Sequence, residues 1–302
     1  MIDSPLHTIT LFDYTLHVKR DDLLHPFISG NKARKLFYFL QNDLKISTVV
    51  SYGSMQSNAM AALAYLAKQK EWKFVYYTRI NEALLDSPKG NLAFALSQGM
   101  QIKDISTWPY SKQDRNLLCE SIKVDDTLII PEGVRCKEAY YGIEQLAKEI
   151  VDWSKKNQKD IPIFLPSGTG TTALFLQKAL KNLGSFLQVI TFPCVGKKQY
   201  LQEQMECMEP DVSAIPKIIE PPKRYRFAHL YPELYQLWQE AKKSGIEFDL
   251  LYDPVAFATL QKSNDLPKEL LYIHQGGRSG NITMEERYKK MFATIKEKKR
   301  EL

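Results

Sequence analysis

The sequence predicts an α/β fold with parallel strands, and three observations carry that reading. Short β-branched, apolar runs recur along the chain, amphipathic stretches of helical period separate them, and no internal repeat or Pro/Gly/Ser linker interrupts the alternation. Strands alternating with helices imply βαβ units, which set parallel strands side by side. Residues 48–52 (TVVSY) read as a buried strand and 58–69 (NAMAALAYLAKQ) as an alanine-rich helix. Then come a strand at 73–78 (KFVYYT), a helix at 91–98, a strand at 127–131 (TLIIP) and a helix at 137–155. The order repeats with 161–165 (IPIFL), 171–182 and 186–192 (FLQVITF). The lysine-rich stretch 283–302 reads as a charged amphipathic helix with a solvated face.

Composition excludes several classes of function. The chain has 302 residues, 44% hydrophobic and 25% charged, the proportions of a globular protein that buries a substantial core. Its 41 basic and 35 acidic residues leave +6, spread along the chain, whereas a nucleic-acid or membrane footprint clusters its basic residues. No stretch approaches the ~20 apolar residues of a spanning helix. Residues 1–20 carry Asp3, His7 and Asp13 and do not read as a signal peptide. Cys119, Cys136, Cys194 and Cys207 form no CxxC pair and no metal-like cluster with the five histidines. Free thiols, no metal and a cytoplasmic location are expected.

Four segments suit chemistry. In Ser29-Gly30-Asn31-Lys32, glycine and asparagine break the chain before a helix with apolar positions at Leu36, Phe37 and Leu40. A lysine at that helix mouth is disfavoured as a cation and favoured as a reactive neutral amine, able to form a Schiff base. The alternative is a solvated surface lysine. Ser29 to Lys32 also spells S-x-x-K, but the K-T-G box of serine acylation is missing. In Gln56-Ser57-Asn58, between strand and helix, Ser57 or Asn58 suits an N-cap. Alternatively, exposed N–H groups there hold a carboxylate with the Ser57 hydroxyl in reach of a reacting carbon.

The third segment is Ser167-Gly168-Thr169-Gly170-Thr171-Thr172, a nest of backbone N–H groups and hydroxyls ahead of a helix. With Ala173 it also satisfies G-x-G-x-x-A, the dinucleotide fingerprint. That rival requires an acid ending the next strand, which instead ends Thr191-Phe192-Pro193-Cys194. A monophosphate fits better, with a plain turn as the alternative. The fourth, His274-Gln275-Gly276-Gly277, lets backbone approach a flat ligand closely, or simply turns the chain.

Taken in order, these segments resemble the pyridoxal-phosphate enzymes of the 1-aminocyclopropane-1-carboxylate deaminase and D-cysteine desulfhydrase family. The matching residues are Val18-Lys19-Arg20-Asp21-Asp22-Leu23, Gly30-Asn31-Lys32 with Arg34-Lys35-Leu36, Gln56-Ser57-Asn58, residues 167–172, Asp253-Pro254-Val255 and residues 274–277. The resemblance implies a tryptophan-synthase-β-like fold, fold type II: two open, twisted, mostly parallel sheets flanked by helices. It implies a larger domain of 1–45 with 151–302, a smaller α/β domain of 46–150, and pyridoxal 5'-phosphate between them. By the same resemblance Lys32 carries the cofactor, beside Asn31; Asn58 bonds its 3-oxygen; and Ser167, Gly168, Thr169, Gly170, Thr171 and Thr172 cradle its phosphate. Gln56, Ser57 and Asn58 meet a small amino-acid substrate, with Ser57 catalytic, and the protein is a homodimer.

The family has a tyrosine over the substrate directly after Asp-Pro-Val, then Glu or Thr at the pyridine nitrogen. Here those positions read Ala256 and Phe257, and Ala59-Met60 follows Asn58 where a polar pair is usual. The resemblance therefore implies a deaminase or lyase that releases ammonia, with or without sulfide. It also implies that β-elimination exceeds the opening of a cyclopropane ring, because the electron sink is weak, with Tyr252 or Tyr231 as the alternative source of the lost hydroxyl. The alternatives are a protein that binds pyridoxal phosphate without turnover and, less well supported, a nucleotide-dependent enzyme.

Overall fold

The computed structural model describes residues 3–28, 30–106 and 126–298. It opens with a hairpin: β1 (Leu6–Leu11) pairs antiparallel with β2 (Tyr14–Lys19), with Leu6 opposite Lys19. Phe12 and Asp13 between them have φ of 52° and 61°, the positive pair of a type I′ turn, whose twist matches that of the strands. The sequence reading does not anticipate this hairpin.

Beyond it run α1 (Asn31–Gln41), β3 (Thr48–Tyr52), α2 (Asn58–Gln69), β4 (Lys73–Thr78), α3 (Glu82–Asp86), α4 (Gly90–Ser97) and β5 (Gln101–Asp104). They are followed by β6 (Thr127–Ile129), α5 (Ala139–Asn157), β7 (Ile163–Ser167), α6 (Thr171–Asn182), β8 (Val189–Pro193) and α7 (Lys198–Glu206). The described chain ends with β9 (Lys217–Ile218), α8 (Pro232–Lys242), α9 (Asp253–Lys262), β10 (Glu269–Ile273) and α10 (Asn281–Lys298).

The strands form two sheets, ordered β1-β2-β10-β7-β8-β9 and β5-β4-β3-β6. Among the described residues, every pair but β1–β2 is parallel. The α/β class with mostly parallel sheets is thus the observed one. The larger sheet takes strands from both ends of the chain and the smaller one from the middle. Parallel sheets must be covered on both faces, and accordingly β7 and β8 are buried throughout.

The expected boundary at residue 150 falls inside α5, which is continuous. Its Ile143, Leu146, Ala147 and Ile150 share one core with Ile163, Leu165, Leu176 and Val189. Helix α5 also meets α1 through Gly142, where a Cβ would lie 2.0 Å from Arg34 O. Arg34 itself is buried and bonds Asp21 and Glu149, a carboxylate on either side of its planar fork. This pairing fixes the start of α1, where the candidate site lies. No helix among the described residues is long and apolar enough to cross a membrane.

Candidate functional site

The site is assembled where α1, α2 and α6 begin and where the chain leaves β10. Gly30 caps α1 with φ of 31°, and a Cβ there would lie 2.1 Å from Gln275 O. Only glycine lets the two segments touch. Asn31 donates its backbone N–H to Gln275 O at 2.9 Å. Its Nδ2 donates to Gln275 Oε1 at 2.8 Å and Thr172 Oγ1 at 3.4 Å. Lys32 Nζ donates to Asn31 Oδ1 at 2.8 Å. The lysine is therefore tethered, through one asparagine, to the first turn of α6. Lys32 is half-buried by surface area yet densely enclosed. Desolvation lowers its amine to about 8, with the Asp249 carboxylate pulling the other way.

Lys35, the next amine on the same helix face, is buried and donates to Gly133 O at 2.9 Å. Burial, then the nearby Lys32 charge, push it far below the usual lysine range. Gly133 in turn abuts the glycine–threonine loop: a Cβ on it would lie 2.9 Å from Thr169 Cγ2.

Residues 167–172 bridge β7 and α6. Gly170 has φ of 79°, and the first backbone bond of the helix runs from Leu174 N–H to Gly170 O. The N–H groups of its first turn therefore point out of the helix end, the arrangement that suits an anion. Thr169 and Thr171 bring their hydroxyls within 3.0 Å of each other. Ser167 differs from the rest: its hydroxyl donates to Thr191 Oγ1 at 2.7 Å, because Thr191 spends its own proton on Leu165 O. A Cβ on Gly170 would collide with Leu201 and Met205 of α7, so this glycine also serves packing.

At the start of α2, Ser57 accepts the N–H groups of Ala59 and Met60 at 3.1 and 3.3 Å. It is an N-cap, and capping leaves its own O–H free to donate. Gln56 Nε2 donates to Lys89 O, whereas its buried Oε1 has no partner among the described residues. Asn58 Oδ1 accepts from Asn91 Nδ2 at 2.8 Å.

The late segment adds to the sequence reading. Ala256 and Phe257 are fully buried in α9, and the Phe257 ring packs against Phe12, Phe248 and Tyr272. They belong to the core and line no site. The residues just ahead of α9 turn toward the glycine loops instead. Asp249 Oδ1 accepts the N–H groups of Leu251 and Tyr252 at 2.7 and 2.6 Å. Its Oδ2 lies where a Cβ of Gly277 would be, and Asn58 Nδ2 is 3.2 Å from that same point. Tyr252 lies against Gly168, whose Cβ would be 3.3 Å from the ring and 3.4 Å from the hydroxyl. Asp253 accepts from Asp249 N–H at 2.8 Å and from the Tyr272 hydroxyl at 2.5 Å.

Burial raises the Asp249 carboxyl to about 7 against its two backbone donors. Burial and then Asp249 also raise the Asp253 carboxyl, well above the usual carboxylate range. Burial also raises the Tyr252 phenol, which stays a donor at any physiological pH. His274 is neutral, its pKa lowered by burial: Nδ1 accepts from Gly276 N–H and Nε2 donates to Glu247 O. Asp249 and Asn91 are absent from the sequence-based set, Asp253 enters it only within Asp-Pro-Val, and Tyr252 only as a substitute for the hydroxyl lost at Ala256. One signal in the sequence points to Asp249, Tyr252 and Asp253 together. Asp249-Leu250-Leu251-Tyr252-Asp253 has the spacing acid–x–x–tyrosine–acid, four residues upstream of the place where Asp-Pro-Val draws the eye.

Cys136, Cys194 and Cys207 are unpaired, while Cys119 and Ser29 lie outside the described residues.

No family model matches the chain. A Thermotoga maritima protein provisionally named 1-aminocyclopropane-1-carboxylate deaminase is 28% identical, over 91% of this chain and 93% of its own length. A mitochondrial Arabidopsis thaliana protein named bifunctional D-cysteine desulfhydrase/1-aminocyclopropane-1-carboxylate deaminase is 24% identical, over 88% of this chain and 73% of its own. Among solved structures, an ACC deaminase homologue superposes with a TM-score of 0.75 at 21% identity, covering 93% of this chain and 91% of its own. The fold is therefore that of fold type II pyridoxal-phosphate enzymes.

Proposed function

We propose that this chain is a pyridoxal-phosphate-dependent deaminase or lyase that removes ammonia, with or without sulfide, from a small amino acid. The observation that carries the reading is the enclosed Lys32 amine, lowered to about 8 and joined through Asn31 to the anion-ready start of α6. The names of the relatives point the same way.

The donor set fits the cofactor. The N–H groups at the start of α6 and the hydroxyls of Thr169 and Thr171 are donors for a phosphate, and Gln56 Oε1 is a buried acceptor without a partner among the described residues. On this reading Lys32 holds the cofactor, residues 168–172 take its phosphate beside Ser167, and Asn58 Nδ2 donates to its ring oxygen. When bound, pyridoxal phosphate supplies the electron sink for the reaction. The protein's part is orientation and proton transfer. The Lys32 amine titrates close enough to neutrality to take and return a proton. Ser57 has a free O–H for the substrate. Tyr252 keeps its proton and offers a hydroxyl over the phosphate loop, in place of the one that Ala256 lacks. Both oxygens of Asp253 are taken by the Asp249 N–H and the Tyr272 hydroxyl. The expectation of weak ring opening therefore rests on the missing acid at the ring nitrogen.

We also take the division between the two α/β units to precede α5 rather than to cut it at 150, and the protein to be a homodimer, as its resemblance implies, in the cytoplasm, as its cysteine usage suggests. The test is a screen of purified protein, reconstituted with pyridoxal phosphate, against D- and L-amino acids, both cysteine enantiomers and 1-aminocyclopropane-1-carboxylate. Keto-acid and ammonia release from at least one is expected. A yellow protein that turns over none would favour cofactor binding without catalysis, and a colourless one would overturn the reading.

A further inference from the structure

Resting on that reading, we propose that Asn91 is a positioning residue that sets which end of the Asn58 amide faces the cofactor, with Ser279 holding Asn91 in place. The argument is one of hydrogen-bond polarity. Asn91 is buried in the first turn of α4, and its Nδ2 lies 2.9 Å from the backbone carbonyl of Gln56. A carbonyl oxygen only accepts, so the group facing it must be the NH₂. The second hydrogen of that NH₂ meets Asn58 at 2.8 Å, so the Asn58 atom there is the acceptor Oδ1. At the other end of Asn91, Oδ1 accepts the Ser279 hydroxyl at 2.7 Å. Turned over, Asn91 would set oxygen against oxygen at Gln56, leaving one satisfied orientation.

With its oxygen occupied, Asn58 presents only the donor Nδ2 toward Gly277. An oxygen of a bound cofactor there meets a hydrogen-bond donor. Without Asn91 the amide loses the donor that holds its oxygen, and this torsion is broad and two-fold. The three residues come from α4, the start of α2 and the turn before α10, so the orientation of one amide joins three separate segments.

The test is cofactor binding by Asn91→Asp, which preserves shape but removes both donors. Asn58 should then turn its NH₂ toward the new carboxylate and offer oxygen to the site. Loss of a donor to a charged oxygen should raise the dissociation constant of pyridoxal phosphate about tenfold or more. It should also move the pH midpoint of the visible band upward by about one unit, because a donor favours the deprotonated oxygen. Asn91→Ala is the second variant, should the buried carboxylate prevent folding. In an Asn58→Ala background either change should have no further effect on affinity or midpoint, whereas a merely structural role would add to it. Folded variants with unchanged affinity and midpoint, or additive effects in that background, would overturn the proposal. A parent that binds no pyridoxal phosphate would overturn both readings, and one that binds it while the variants behave alike overturns this one alone.

Discussion

Lys32 and Lys35 sit one turn apart on α1, and their environments separate them chemically. Lys32 is half-buried, with Asp249 pulling its amine back toward the charged form, and its pKa stands at about 8. Lys35 is buried and bound to Gly133 O, so a neutral amine there is out of reach of a large reagent. Cofactor-free protein should react with pyridoxal phosphate at a rate that rises with pH through a midpoint near 8, well below that of an ordinary lysine at about 10.4. Borohydride should then fix the cofactor on the Lys32 peptide. Recovery of the label on Lys35, or a midpoint near that of free lysine, would sink the assignment. The lysine itself is legible in the sequence, because glycine and asparagine followed by helical spacing mark a helix mouth. Its pKa is not legible, since Asp249, more than two hundred positions away, reaches it only through the tertiary fold.

The start of α9 holds a motif that can be read in two registers. Asp253-Pro254-Val255 looks like an active-site loop, but the proline occupies the first turn of a helix, where its missing N–H costs nothing. The acid that binds the incoming backbone is Asp249, and the turn it builds aims Tyr252 at Gly168. Two substitutions separate the registers. Phe257→Ala should cost about 3–5 kcal/mol of stability, as a large ring leaves a packed core, and leave the spectrum of bound cofactor as it was. Tyr252→Phe should keep the melting temperature within a few degrees and lower kcat more than tenfold. Comparable kcat losses from the two, or a spectral change on altering Phe257, would restore the original register. Elsewhere, elements with strong periodicity were legible to the residue: 48–52, 58–69, 73–78 and 171–182 are the observed spans. Some of the elements missed carry weaker patterns. β9 is two residues long, β5 is largely exposed, and the outer strand of the hairpin has few buried positions.

At the scale of the molecule, both chain ends contribute to the larger sheet, through β2 and β10, and buried charges mark the joints. Some of these are paired, as Arg34 is with Asp21 and Glu149. Asp249 and Lys32 are further from balance, and that makes stability depend on pH. The folded Asp249 carboxyl has its pKa at about 7, and an unfolded one at about 4. Below pH 4 it is protonated in both states and contributes nothing. Between 4 and 7 the unfolded chain releases the proton while the folded one retains it, so stability falls as pH rises, and the loss is complete above 7. Lys32 acts from the other side: its lowered pKa costs stability as pH falls from about 10.4 to 8. Near neutrality the cofactor-free protein bears both costs, eased by the attraction between the two groups. Asp249→Asn keeps an oxygen for the Leu251 and Tyr252 N–H groups and removes the charge. Thermal unfolding of the cofactor-free protein should show the parent losing about 2–4 kcal/mol between pH 4.5 and 7.5 through this group. The variant should lose measurably less over the same interval, and its advantage should appear only above pH 5. Parallel stability curves for the two proteins would show that Asp249 is not the buried acid responsible.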